Sequence, residues 1–193
     1  MKINRLKLHF FVCICISNTL LGQIDIEKKL QAKFLLAENN SIIQLDEMNV
    51  QLTKTLSLEG KKNIIIRGKG IEKTILNFTN QKSGAEGIKI TNCENITIEN
   101  LTAQNAKGDM IKTMEVKGIT FKKIKAEWTN GPKSSNGSYA LYPVMCENVV
   151  IDSCIAIGAS DAGIYVGQSK NIKVLNSYAS QNVAGIEIEN SLY

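Results

Sequence analysis

Short segments in which apolar and polar residues alternate run through the chain from residue 41 onward, a pattern typical of half-buried β-strands. The segment Asn63-Ile64-Ile65-Ile66 recurs four times, each time with Asn or Gly first and an apolar residue second. The recurrences begin at Asn95, Gly118, Asn148 and Asn171, and the steps along this series are 32, 23, 30 and 23 residues. This spacing indicates a period of about 23 residues, with an insertion of seven to nine residues in two of its copies.

A second series of alternating segments keeps the same period. Its central residues are separated by 23, 30, 23 and 22 residues and are Lys89, Lys112, Tyr142, Tyr165 and Glu187. Several short strands in each period predict a β-solenoid, in which every strand stacks on its counterpart about 4.8 Å away. A leucine-rich repeat is the alternative, but the sequence lacks its L-x-x-L-x-L-x-x-N signature. We therefore predict an all-β fold, a single-stranded right-handed parallel β-helix of about five to six rungs.

The asparagines of the first series are predicted to form a corner of the solenoid. Asn tolerates the left-handed backbone conformation that a tight corner requires, and stacked Asn side chains can hydrogen-bond along the column. The residues that follow them are predicted to point inward as one apolar column: Ile64, Ile96, Ile119, Val149 and Ile172. The regular spacing of the asparagines within the repeat thus indicates a structural role for them.

The same register decides the pairing of the cysteines beyond residue 22. Cys93 and Cys146 occupy equivalent positions two rungs apart, with Val116 between them. Their separation is therefore about 9.6 Å, whereas a disulfide requires Cα atoms within about 7 Å. Cys154 aligns with Ser177 elsewhere on the rung. All three cysteines are predicted to be small packing residues without a disulfide between Cys93 and Cys146.

Residues 1–22 have the features of a signal peptide. A basic start is followed by a short apolar run over residues 8–16 and by the small residue Gly22. A retained membrane anchor is the alternative, but the apolar run is shorter than the roughly 20 residues that span a bilayer. We expect a secreted or periplasmic protein that does not contact the membrane after removal of the signal.

The predicted solenoid occupies residues 41–193 and differs at its two ends. Residues 23–40 are predicted to form an amphipathic helix that caps the core with Ile26, Leu30 and Phe34, and a membrane-surface helix is the alternative. At the C-terminal end, the strand around Ile186 would leave the last rung uncapped. We accordingly expect a truncated β-helix, or a partner that covers this end.

Charge and composition exclude several functions. The chain has 23 basic and 18 acidic residues, and loss of the three basic residues of the signal leaves 20 against 18, a net charge of +2. Such a balanced chain has no general electrostatic attraction for nucleic acid. The single histidine, His9, also lies in the signal segment. The remaining protein therefore has no imidazole for acid–base catalysis or metal binding.

The second series predicts an outward strip on one face of the solenoid. Because side chains alternate along a strand, Lys89, Lys112, Tyr142, Tyr165 and Glu187 share one surface column, beside Glu86, Asp109, Tyr139 and, at the adjacent corner, Asp161. Tyrosines can stack on sugars, lysines can bind uronates or act as bases, and acids can bind Ca²⁺ or act as a pair. The loop Trp128 to Ser138 lies next to this strip.

These residue types give two groups of candidates. Lys112 is the candidate base, and Asp109 or Asp161 would bind Ca²⁺ or substrate. The candidate polysaccharide contacts are Glu86, Lys89, Tyr139, Tyr142, Tyr165 and Glu187. Two structural alternatives remain open, since the strip can consist of ordinary solvated residues and Asp161 can cap a corner through backbone hydrogen bonds.

Several segments of the chain resemble one branch of exported bacterial right-handed β-helix repeat proteins. The likeness is carried by residues 84–89, 136–144, 160–169 and 182–190, and it covers most of residues 40–193. The resemblance implies the fold of pectate lyases, polygalacturonases and alginate epimerases and, by analogy, a connection with carbohydrates.

The catalytic motifs of those enzymes are missing. The chain has no His after residue 9, the stretch from Tyr139 to Val144 lacks the Asp and His of the epimerase motif, and Arg67 is the only arginine beyond the signal. The first hypothesis is a protein that binds or processes an acidic polysaccharide, as a lyase or epimerase if it is an enzyme. The alternatives are a non-catalytic cell-surface module and a periplasmic assembly factor. The sequence has no cluster of Met or His residues, which argues against copper delivery by such a factor.

Overall fold

A computed structural model describes residues 25–192, so the predicted signal peptide over residues 1–22 lies outside the described residues. The described chain begins with a helix, α1, over residues 25–35. Sixteen short strands follow it. They are β1 Ile42–Gln44, β2 Met48–Gln51, β3 Lys54–Glu59, β4 Lys62–Arg67, β5 Thr74–Asn77, β6 Ser83–Thr91, β7 Glu94–Gln104, β8 Ile111–Met114, β9 Lys117–Glu127, β10 Leu141–Val144, β11 Glu147–Asp152, β12 Ile155–Ile157, β13 Ala162–Gly167, β14 Lys170–Leu175, β15 Tyr178–Ser180 and β16 Ala184–Glu189.

The strands stack in parallel into three faces of a solenoid. Face A is a separate sheet of six strands in the order β3-β6-β8-β10-β13-β16. Face B runs β1-β4-β7-β9-β11-β14, and face C contains β2, β5, the second halves of β7 and β9, β12 and β15. Each face thus has six levels, as expected for a single-stranded parallel β-helix of five to six rungs.

The interior consists of apolar columns that run along the solenoid axis. The predicted column of Ile64, Ile96, Ile119, Val149 and Ile172 is buried, with exposures between 0% and 8%. Register pairs Ile64 with Ile96, Ile96 with Ile119 and Val149 with both Ile119 and Ile172. The inward orientation predicted from the repeat is therefore confirmed.

The predicted asparagine corner is also confirmed. Asn63, Asn95, Asn148 and Asn171 have left-handed backbone conformations with φ between 53° and 56°. The Nδ2 atom of Asn95 donates to Oδ1 of Asn63 at 3.0 Å, and the Nδ2 atom of Asn171 donates to Oδ1 of Asn148 at 3.0 Å. Gly118 occupies the same corner with φ 80° and interrupts the ladder.

The cysteines have the roles that the register predicts. Cys93, Cys146 and Cys154 are buried free thiols. The backbone N–H of Cys154 donates to Oγ of Ser177, the residue that the register places one rung further along. Burial raises the pKa of each thiol, to about 11 for Cys154. Raised thiol pKa values keep these side chains protonated and unreactive inside the core.

Helix α1 covers the first rung, but the prediction that three of its residues are buried is wrong for one of them. Leu30 and Phe34 are buried, whereas 41% of Ile26 is exposed. Glu27 is buried in its place, and its carboxylate accepts bonds from the backbone N–H of Thr53 at 2.8 Å and from its hydroxyl. The helix therefore turns Glu27, and not Ile26, toward the solenoid, because the backbone N–H of Thr53 requires an acceptor.

The last rung has no further rung above it within residues 25–192. Ile186 and Ile188 are 45% and 37% exposed, whereas their register partners Ile164 and Val166 are fully buried. The apolar side chains of β16 are therefore less buried than their register partners one rung earlier. Among the described helical residues, no helix is long and apolar enough to cross a membrane.

Candidate functional site

The predicted outward strip exists on face A and joins five consecutive rungs. Register pairs Lys89 with Lys112, Lys112 with Tyr142, and Tyr165 with Glu187. Tyr142 and Tyr165 are neighbours because the residues before them, Leu141 and Ile164, pair directly. We call this column, together with the adjacent Glu86, Asp109, Tyr139 and Asp161, the tyrosine strip. All nine candidate residues predicted from the sequence thus lie along one face and its adjoining corner.

Three aromatic rings form the centre of the tyrosine strip. The ring of Tyr139 stacks on that of Tyr165 with centroids 4.4 Å apart and an angle of 22° between the planes. Tyr142 closes the cluster, with centroids 4.7 Å from Tyr139 and 5.4 Å from Tyr165. Each ring is half-buried, so the cluster is both fixed by its neighbours and accessible to a ligand.

Carboxylates lie beside two of the phenol groups. The hydroxyl of Tyr165 donates to Oε2 of Glu189 at 2.9 Å, and the carboxylate of Asp161 is close to the phenol of Tyr139. Removal from water and these carboxylates raise the pKa of both Tyr139 and Tyr165 to about 12. The phenols therefore remain protonated at neutral pH and can act as hydrogen-bond donors.

Asp161 lies at the corner that precedes strand β13 and is close to Tyr139. Its backbone N–H donates to the carbonyl oxygen of Ser138 at 3.2 Å, which is a contact between rungs. Its carboxylate lies beside the hydroxyl of Tyr139, since the charge of Asp161 contributes to the raised pKa of that phenol.

Each lysine of the tyrosine strip has an acidic partner three residues earlier in the sequence. Nζ of Lys112 lies 3.6 Å from Asp109 and 4.6 Å from the ring centroid of Tyr142. Nζ of Lys89 lies 3.7 Å from Glu86. Burial raises the pKa of Asp109, although the charge of Lys112 and the backbone N–H of Tyr139 partly oppose this effect.

Two residues of the site are not among the sequence-based candidates. Glu189 binds the hydroxyl of Tyr165 because both residues lie on face A, one rung apart. Gly167 lies beneath the ring of Tyr165, since a Cβ atom there would be 2.8 Å from its Cε1 atom. The sequence signal for both is their position two residues after a member of the outward column, on the same side of the strand.

The loop beside the tyrosine strip is anchored to the solenoid. Trp128 is 5% exposed, and its indole N–H donates to the carbonyl oxygen of Ala106 at 2.8 Å. The amide of Asn136 donates to the carbonyl oxygens of Gly131 at 3.0 Å and Gly158 at 2.6 Å. The loop therefore has a defined conformation that is fixed by buried and bridging hydrogen bonds.

No group of three or more His, Cys, Asp or Glu residues that could hold a metal ion occurs within residues 25–192. Glu86 and Asp109 instead pair with lysines, and the neighbouring Glu189 accepts a hydrogen bond from Tyr165. The candidate Ca²⁺ role of Asp109 and Asp161 therefore has no ligand cluster around it in the described chain.

Comparison with known proteins agrees with this architecture. The family model for a right-handed β-helix region matches residues 62–192, so the chain belongs to the right-handed parallel β-helix family. The chain is similar to a crystal structure of a proposed glycosyl hydrolase from Parabacteroides merdae, with a TM-score of 0.51 and 15% sequence identity. That match covers 79% of this chain and 85% of the other chain, and at this identity it shows the shared fold. No curated protein matches the sequence.

Proposed function

We propose that this protein binds an extended polysaccharide along the tyrosine strip. The observation that carries the proposal is the cluster of Tyr139, Tyr142 and Tyr165, three half-buried rings on one rigid parallel sheet. Tyrosine rings provide flat apolar surface for sugar rings, and their hydroxyls provide polar contacts for sugar hydroxyls. A column that crosses several rungs suits a chain of repeated units. The relation to a proposed glycosyl hydrolase of the same fold supports a role connected with carbohydrates.

The charge of the tyrosine strip bears on the kind of glycan. The tyrosine strip has two lysines, and together with the neighbouring Glu189 it has five carboxylates. These are Glu86, Asp109, Asp161, Glu187 and Glu189. Both lysines are already paired with acids. The tyrosine strip thus suits the uncharged faces of sugars, and an acidic glycan requires a further cationic contact for its acid groups.

Binding without catalysis is the function that the geometry supports best. Tyr139 and Tyr165 have pKa values of about 12, so at neutral pH they donate hydrogen bonds and do not act as bases. The carboxylate of Asp109 and the ring of Tyr142 both contact the ammonium group of Lys112, at 3.6 Å and 4.6 Å. These contacts hold the strip in a form suited to recognition. We also propose that the protein is exported, on the basis of the signal-like residues 1–22.

A polysaccharide lyase or epimerase activity is the second candidate. One observation favours it, namely that Asp109 has a raised pKa next to Lys112 and the tyrosine cluster. Release of unsaturated uronates from a panel of acidic glycans would reveal a lyase, and a change in the ratio of C5-epimeric uronates in the intact glycan would reveal an epimerase. Loss of that activity in both Lys112→Ala and Asp161→Ala would support the assignment, whereas unchanged activity would contradict it.

Glycan-array binding followed by calorimetry tests the binding proposal. Stacking on one ring contributes about 1 kcal/mol, so Tyr142→Ala should weaken binding of a recognised glycan about fivefold or more. Tyr178→Ala is the matched control, because Tyr178 is 60% exposed on face C, away from the strip. Equal affinities for the two variants, with both folded by circular dichroism, would contradict the proposal. Failure of the wild-type protein to bind any glycan on the array would also contradict it.

A further inference from the structure

The loop between β9 and β10 forms one wall of a groove at the corner between face C and face A. The groove has a volume of about 240 Å³. Its walls include Asn105, Lys107, Trp128, Asn130, Lys133 and Asn136. Lys133 also lines a second depression on the other side of the loop, together with Ser160. The loop is therefore a ridge with a depression on each side.

The first groove carries positive charge without a compensating acid. Lys107 and Lys133 are exposed, and neither forms an ion pair with any residue in the part of the chain that the structure describes. Those described residues that line the groove are Thr, Asn, Ala, Lys, Trp and Ser, so they contain no carboxylate. Two unpaired ammonium groups beside amide side chains form a suitable environment for an anion.

The groove is already formed in the free protein. The indole of Trp128 is bonded to Ala106, and Asn136 bridges Gly131 and Gly158. The N–H and hydroxyl of Thr129 both bond to Oδ1 of Asn105, at 2.8 Å and 3.1 Å. These contacts hold the wall in place, so binding does not require the loop to become ordered.

The groove and the tyrosine strip are close along the chain. Lys107 is two residues from Asp109, and Asn136 is three residues from Tyr139. Even a fully extended segment covers at most about 3.6 Å per residue, so the Cα atoms of Asn136 and Tyr139 lie within about 11 Å. A polysaccharide bound on the tyrosine strip can therefore extend to the groove with a neighbouring sugar unit.

We propose that this groove binds the carboxylate group of an acidic sugar between Lys107 and Lys133. The inference rests on the proposed function in that the groove would serve the same glycan as the tyrosine strip. It deepens that function, because it assigns the recognition of acid groups to the loop and the recognition of sugar rings to the strip. The paired lysines of the strip, Lys89 and Lys112, would not be the main contacts of those acid groups.

Trp128 is a site-specific reporter because it is the only tryptophan in the chain. Titration of the isotopically labelled protein with galacturonate, galactose and inorganic sulfate can be followed through the indole N–H signal and the amide signals of residues 129–136. We expect saturable shifts with galacturonate and with sulfate, and none with galactose. A response to sulfate alone would mark a site for an adventitious ion only and would overturn the proposal. Absence of any saturable shift would overturn it as well.

Charge-matched variants test the two lysines. The double substitution Lys107→Ala with Lys133→Ala should abolish the saturable shifts. The control, Lys28→Ala with Lys122→Ala, removes two exposed lysines outside the groove and should retain them. If both double variants respond like the wild-type protein, the groove is not the anion site. If both lose the response, the effect arises from net charge, and the proposal is again overturned.

A comparison of glycans separates this inference from the proposed function. Oligogalacturonate should bind the wild-type protein at least about tenfold more tightly than its methyl ester, and the groove variant should lose this preference. Tyr142→Ala should weaken both ligands and leave the galacturonate shift of Trp128 unchanged. If galacturonate causes no shift of Trp128 but Tyr142→Ala still weakens glycan binding, the groove is not the anion site and the tyrosine strip still binds the glycan. If galacturonate shifts Trp128 but Tyr142→Ala does not change the affinity, the groove binds the anion and the tyrosine strip does not bind the glycan.

Discussion

The turn before the tyrosine strip contains a backbone contact that only glycine allows. A Cβ atom on Gly137 would lie 1.8 Å from the carbonyl oxygen of Gly108 and 2.2 Å from its carbonyl carbon. Real Cβ atoms essentially never approach a neighbour within 3.0 Å, so Gly137→Ala must separate these two backbones by at least 1.2 Å, the difference between 3.0 and 1.8 Å. The atoms that must yield are backbone atoms of a stacked rung, which cannot rotate away as a side chain could.

The cost follows from the contacts around this turn. Overpacking of this kind costs about 1–3 kcal/mol, and a lost backbone hydrogen bond costs about 0.5–1.5 kcal/mol. The bond at risk joins the N–H of Ser160 to the carbonyl oxygen of Gly137 at 3.0 Å. We therefore expect Gly137→Ala to lower the free energy of unfolding by about 2–4 kcal/mol. In a chain of 193 residues, this corresponds to a Tm decrease of roughly 5–15 °C.

Thermal unfolding followed by circular dichroism measures this change, and Gly185→Ala is the matched control. A Cβ atom on Gly185 meets no atom within 4 Å, and the backbone there is not left-handed. Alanine also restricts the unfolded chain, so Gly185→Ala should leave Tm unchanged or raise it slightly. Trp128 fluorescence should change in Gly137→Ala only, since that loop precedes Gly137. Equal Tm values for the two variants would refute the reasoning.

Two further predictions concern the cap and the tyrosine cluster. Glu27→Ala should lower the free energy of unfolding by about 1–3 kcal/mol because the N–H and hydroxyl of Thr53 lose their acceptor, whereas Lys28→Ala should not. Urea unfolding checks both, and equal midpoints would contradict the role of Glu27 as an anchor of α1. Tyr139 and Tyr165 have folded pKa values raised from 10.0 to about 12, so their contribution to stability is complete below pH 10 and is lost as the pH rises toward 12. Urea midpoints measured over this range should fall less steeply for Tyr139→Phe, and identical slopes would contradict the assignment.

The fold could be predicted because a solenoid converts sequence spacing directly into position. A step of one period is one rung, so the repeat alone aligned Asn148 with Asn171 and Cys154 with Ser177. The helix that covers the first rung has no such register. Its rotation depends on Thr53, a residue 26 positions beyond Glu27, and the apolar spacing of Ile26 with Leu30 could not reveal that contact.

The candidate site was predictable in its columns and less so in its contacts. The register gave the neighbours Lys112, Tyr142 and Tyr165, because outward residues of successive rungs must be adjacent. Side-chain conformation determines the rest, including the pairing of Lys112 with Asp109 and of Tyr165 with Glu189. Such contacts depend on rotamers and local burial, which a repeat does not encode.

The distribution of charge connects the two parts of the proposed binding surface. The tyrosine strip has more carboxylates than lysines, whereas the adjoining groove has Lys107 and Lys133 without any described acid in its walls. A polyanion that contacted the strip alone would meet net repulsion, and a neutral glycan would gain nothing from the groove. A chain with acid groups at some positions and uncharged sugar faces at others satisfies both surfaces at once. The selectivity of the protein should therefore depend on the spacing of acid groups along the glycan as well as on their presence.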